Sequence, residues 1–141
     1  MEINRITLER FKQVSDATLS LSPINILVGG NNSGKSSVLE GIHFSVVAAV
    51  AARIADTKTF TQESLLFCPS KEFGALRHGA PYKNQSNFGY LRVSGTRGDD
   101  EFSTTVKIYR GRNEGNVGCE VTGSFALRQI ISATDRPFSV Y

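Results

Sequence analysis

Gly29-Gly30-Asn31-Asn32-Ser33-Gly34-Lys35-Ser36 fills the spacing G-x-x-x-x-G-K-[ST], in which the backbone N–H groups of a tight loop converge on phosphate oxygens. A polyphosphate needs many donors packed around it, and the small residues Gly29, Gly30 and Gly34 let the main chain come that close. Asn31 and Ser33 fill the remaining turns of the loop, and Asn32 is one of the few side chains that tolerates a left-handed backbone. Lys35 is placed to reach the outer phosphates as a compact positive charge and is the candidate catalytic residue. Ser36 is placed to give its hydroxyl to Mg²⁺, and Ser37 to add one more phosphate hydrogen bond. The ligand this predicts is ATP with Mg²⁺.

The flanks support the loop. Ile24-Asn25-Ile26-Leu27-Val28 is a short, mostly apolar run of the kind found in buried parallel strands. Behind the loop, Val38, Leu39, Ile42, Val46, Val50 and Ile54 recur at three- and four-residue spacing, which predicts one helix over about 34–55. The free N–H groups and positive dipole end of that helix would face the bound anion.

The 141 residues carry a formal charge of +3, and the chain is long enough to enclose a hydrophobic core. Basic residues are scattered among acids, which permits a nucleic-acid partner without arguing for one. Cys68 and Cys119 lie far apart with no histidine cluster nearby, so they read as reduced thiols and not as a zinc site or disulfide framework. No signal peptide is visible. The apolar stretch 44–52 is far shorter than the roughly 20 residues a membrane span needs. A soluble, cytoplasmic chain with no membrane partner is expected.

Before the loop, 4–8 and 16–21 alternate apolar with polar residues, as strands with one wet face do. Residues 57–87 are rich in turn formers and predict loop with a short helix or edge strand. Segments 88–94, 102–110 and 117–125 read as an antiparallel meander broken at 95–100 and 111–116, and 125–133 as the start of a helix that Pro137 would break. The fold class expected is α/β, built from strand, phosphate loop, long helix and antiparallel β-subdomain. The expected division is a nucleotide-binding core over 1–56, a connection over 57–87, and a β-subdomain with the next helix over 88–141, together one structural unit that stops within a larger fold.

Residues 1–44 as a whole resemble the start of an ABC-type ATPase head of the SMC, RecF and OLD-nuclease kind. The resemblance rests on the opening strand Ile3-Asn4-Arg5-Ile6-Thr7-Leu8, on Arg10-Phe11-Lys12, and on the run from Pro23 through the loop into Ser36-Ser37-Val38-Leu39-Glu40-Gly41-Ile42. It implies a P-loop NTPase lobe in which residues 30–37 hold the triphosphate, Ser36 holds the metal, and Arg10 and Lys12 lie near the nucleotide. It further implies pairing with a second ATPase head, as a homodimer around ATP, and action on DNA in many members.

Departures from the family pattern matter equally. Hydrolysis there needs four apolar residues ending in Asp-Glu, so that one carboxylate orders the metal and the other activates water. This sequence has no such run; Ile130-Ile131-Ser132-Ala133-Thr134-Asp135 is the nearest and a poor one. Ser94-Gly95 is followed by a hairpin turn where a signature helix should begin. Gln62 and Gln129 are alternatives for the lobe-joining glutamine, each also an ordinary surface residue. His43 and His78 have no ligand-spaced partners. Glu40 reads as a solvated or dipole-favoured carboxylate, and Phe60, Phe67 and Phe73 as loop anchors. Three functions are compatible: an ATP-binding part of an ATPase that binds without turnover alone, a stand-alone nucleotide-sensing interaction module, and another phosphate-loop enzyme. The last is weakened because no Asn-Lys-x-Asp guanine-reading segment is present.

Overall fold

The computed structural model describes residues 2–12, 14–30, 34–65, 68, 87–111 and 116–133. One sheet organises them. Its strands are β1 (Glu2–Phe11), β2 (Val14–Ser20), β3 (Thr59–Thr61), β4 (Asn87–Arg97), β5 (Asp100–Arg110) and β6 (Asn116–Gly123), in the spatial order β2-β1-β4-β5-β6-β3. Every neighbouring pair is antiparallel. Strands from both sides of 57–87 therefore hydrogen-bond within a single sheet.

Alternation along each strand decides which face is covered. Ile6 and Leu8 of β1, Leu91 and Val93 of β4, Val106 and Ile108 of β5, and Val117 and Cys119 of β6 are buried. Arg5, Arg92 and Glu101 sit on exposed positions of the same strands. The helix α1 (Lys35–Ala55) lies across the covered face, touching β1 through β6, and supplies Ile42, Phe44, Val46, Ala48, Ala49 and Ala51 to the core. Its alanines let helix and sheet pack closely. A second helix, α2 (Phe125–Ile131), adds Leu127 and Ile131 at the far end. By length and apolarity alone α1 could cross a bilayer, but its buried residues are part of the core around the sheet, as in the central helix of a packed domain.

The sequence reading holds for the meander and both helices, with shifts of a few residues at their ends. The turn expected over 95–100 contracts to Gly98-Asp99, because β4 and β5 pair as far as Arg97 with Asp100. Within 57–87, β3 and a 3-10 turn over Gln62–Ser64 supply the edge strand and short helix. The strand expected over 24–28 is not formed: residues 21–30 carry no strand, and Ile24, Ile26 and Val28 are 83%, 80% and 88% exposed. The physical reason is pairing. Leu21 N–H closes the sheet contact by donating to Asn4 C=O, and then Ser22 and Asn25 bond to one another in a local turn. That turn leads the chain away from β1, and no described strand lies alongside to pair with 24–28.

Candidate functional site

The site is built where α1 begins. Gly34 caps the helix with φ 89°, a left-handed value that glycine adopts at little cost. It aims the chain so that Lys35, Ser36 and Ser37 form the first turn. Gly34 C=O accepts from Val38 N–H at 2.9 Å, the first closed helical bond. The N–H groups of the residues before Val38 are thus without helical partners. Among the described residues no side chain caps this end and no acid stands in its first turn, so nothing negative from those positions offsets the partial positive charge of about half an electron that 21 aligned residues concentrate there. The arrangement suits an anion.

Lys35 turns back over the loop, donating from Nζ to Gly29 C=O and, at 3.4 Å, to Gly30 C=O. Gly29 and Gly30 are exposed, as is Ser36, whereas Ser37 is buried at 6% exposure. The hydroxyl best placed for a solvent-borne metal is accordingly Ser36. Asn31, Asn32 and Ser33 lie outside the described residues. The Lys35 ammonium and the exposed Ser36 hydroxyl therefore stand beside the unpaired N–H groups of the helix start, a cation and donors of the kind a phosphate requires, with the Gly29 and Gly30 carbonyls holding the ammonium in its place.

The tip of the β1–β2 hairpin reaches the same helix. Arg10 and Lys12 both adopt left-handed backbone, φ 58° and 48°. The Arg10 guanidinium lies over the Tyr90 ring, 5.4 Å from its centroid. Lys12 Nζ donates to Glu40 Oε2 at 2.6 Å. Glu40 is thus an ion-pair partner and not a merely solvated carboxylate. Sequence spacing gave no sign of this, because the two residues are 28 positions apart.

The other candidates do not converge here. Phe60 is buried in the core from β3, an anchor as expected. Ser94 and Gly95 are inside β4, paired with Ser103 and Phe102. Ile130 and Ile131 end α2 and are helical, so they do not form the apolar strand that would carry an Asp-Glu pair. Gln62 donates to Cys68 Sγ at 3.5 Å. Gln129 lines a separate cleft of about 560 Å³ beside the C-terminal end of α1, with Arg53, Lys58 and Glu120. His78, Phe67, Phe73 and Asp135 lie outside the described residues. Among the described residues no group of three or more histidine, cysteine, aspartate or glutamate side chains could hold a metal. Burial, helped by neighbouring Glu120, pushes the Cys119 thiol up to about 12; it is an unreactive core residue.

Residues 1–74 match the AAA ATPase domain family. The DNA replication and repair protein RecF of Psychromonas ingrahamii is 42% identical over 100 residues, covering 68% of this chain and 28% of that protein. RecF proteins of Salmonella arizonae and Salmonella typhi are each 48% identical over 44 residues, 30% of this chain and 12% of theirs. The chain thus matches 28% of the length of the first of these relatives and 12% of the other two.

Proposed function

Since the chain belongs to the AAA ATPase domain family, we propose that it is the ATP-binding N-terminal lobe of an ABC-type head of the SMC and RecF kind. In this reading residues 29–37 hold Mg²⁺·ATP, with Lys35 on the outer phosphates and Ser36 on the metal. The observation that carries it is the uncapped, acid-free start of α1 directly behind left-handed Gly34, with the Lys35 ammonium lying over the loop. Bound Mg²⁺ would neutralise phosphate charge and polarise the bond to the terminal phosphate. The chain's own part is to bind and orient, because its sequence has no apolar run ending in Asp-Glu to activate water. Hydrolysis would then need acidic and signature residues supplied from outside these 141 positions.

The same reading places the protein in the cytoplasm and pairs it with a second head across the nucleotide. DNA is a partner by similarity to the RecF proteins, whose names state replication and repair. Calorimetric titration with Mg²⁺·ATP tests the reading: one site per chain that is strongly weakened in Lys35→Ala is expected, and equal binding by both proteins would refute it. GTP in place of ATP separates this reading from that of another phosphate-loop enzyme.

A further inference from the structure

We infer that Glu40 is a positioning residue for the nucleotide site, acting through Lys12; the inference rests on the nucleotide reading above. Three contacts lock the hairpin tip onto the first turns of α1. Gly41 lies so close to β1 that a Cβ there would come within 2.6 Å of Leu8 and 2.9 Å of Phe11. Phe11 packs on Phe44 with ring centroids 5.9 Å apart. Lys12, next in the chain, closes the 2.6 Å ion pair with Glu40.

The direction of that pair is what gives it a role beyond packing. Helical side chains lean toward the N-terminus of their helix, so the Glu40 carboxylate covers the turn that begins at Ser36. Held there, Lys12 would bring a second ammonium group, after that of Lys35, toward the anion-receiving end of α1. The position is not relaxed: Lys12 holds a left-handed backbone that an L-residue adopts at a cost. The pair is about two-thirds buried, with side-chain exposures of 30% and 34%, so solvent screens it less than a surface pair. A carboxylate this near an anion site disfavours the anion on its own. Paired with Lys12 it instead fixes a cation where bound phosphate can share it.

The test is a set of calorimetric titrations of the 141-residue chain with Mg²⁺·ATP, each variant also followed by thermal melting. Lys12→Met should weaken binding on the order of tenfold, the usual scale for one charged contact. Glu40→Gln should weaken it several-fold, with no further loss from Glu40→Gln when Lys12 is already Met. The reversed pair, Lys12→Glu with Glu40→Lys, restores an ion pair between hairpin and helix but moves the cation. The inference predicts that it recovers the melting temperature and not the affinity. Recovery of both, or unchanged affinity in a folded Glu40→Gln protein, would overturn it by showing a structural clamp alone. Should Glu40→Gln not fold, Lys12→Met decides in its place, and unchanged affinity there has the same force. Failure of the unaltered chain to bind ATP would instead sink the nucleotide reading itself, an outcome distinct from any variant result.

Discussion

At the level of single residues the proposed chemistry is concentrated in Lys35 and Ser36. Lys35 is the charged donor of the loop, and removing one charge-assisted contact to phosphate costs about 2–3 kcal/mol where it is well formed. Lys35→Ala should therefore lose triphosphate affinity by a factor on the order of a hundred in calorimetry. Ser36, exposed beside buried Ser37, is the hydroxyl assigned to the metal. Ser36→Ala should bind metal-free ATP nearly as the unaltered chain does and lose the gain that Mg²⁺ gives. An unchanged magnesium dependence would contradict that assignment. Cys119 makes a separate prediction. Its folded thiol titrates near 12 against an ordinary 9, so below pH 9 both folded and unfolded chains keep the proton and no stability depends on it. Above pH 9 the unfolded chain releases the proton and the folded chain does not, so stability falls by about 1.4 kcal/mol per pH unit until the folded thiol also ionises. Denaturant titrations from pH 8 to 11 should show a shallower decline for Cys119→Ala than for the unaltered chain.

At the level of elements, the contact between β1 and α1 fixes where the helix lies on the sheet. Gly41 packs directly against β1, and its neighbours Leu8 and Phe11 are 2% and 5% exposed, with little room to yield. Gly41→Ala gains up to about 1 kcal/mol of helix propensity and meets overpacking that costs about 1–3 kcal/mol. A net loss of up to about 2 kcal/mol in chemical denaturation is expected, and a stabilised protein would show that the helix can lift from the strand. Much of this element pattern was legible beforehand. The 3.6-residue stripe marked α1, and alternation with turn residues marked β1, β2 and the meander, because those signals are local. The segment 24–28 was misread for the converse reason. An apolar run states only that a strand could form, whereas a strand needs a neighbour, and the turn at Ser22 and Asn25 leads this one away from β1. The Lys12–Glu40 pair was equally invisible, being created by packing between distant positions.

At the level of the whole molecule, a single antiparallel sheet with one long helix across it holds Gly29, Gly30 and Lys35 at one end of that helix. A helix of 21 residues spans roughly 30 Å, so the loop and the cleft beside Arg53 and Gln129 belong to opposite ends of the domain. The proposed division of labour is compatible with this layout: this part would receive nucleotide, and the water-activating acids would come from elsewhere. The chain alone should thus bind ATP one to one and release phosphate no faster than buffer does in a colorimetric assay; clear turnover would show that a base has been overlooked. The most direct measurement is a crystal structure of the chain with Mg²⁺ and a non-hydrolysable ATP analogue. The account predicts the β- and γ-phosphates enclosed by residues 29–37, Lys35 Nζ transferred from the Gly29 carbonyl to phosphate oxygen, and the metal on Ser36. Nucleotide bound elsewhere, or a loop that leaves Lys35 on its own carbonyls with saturating analogue present, would contradict it.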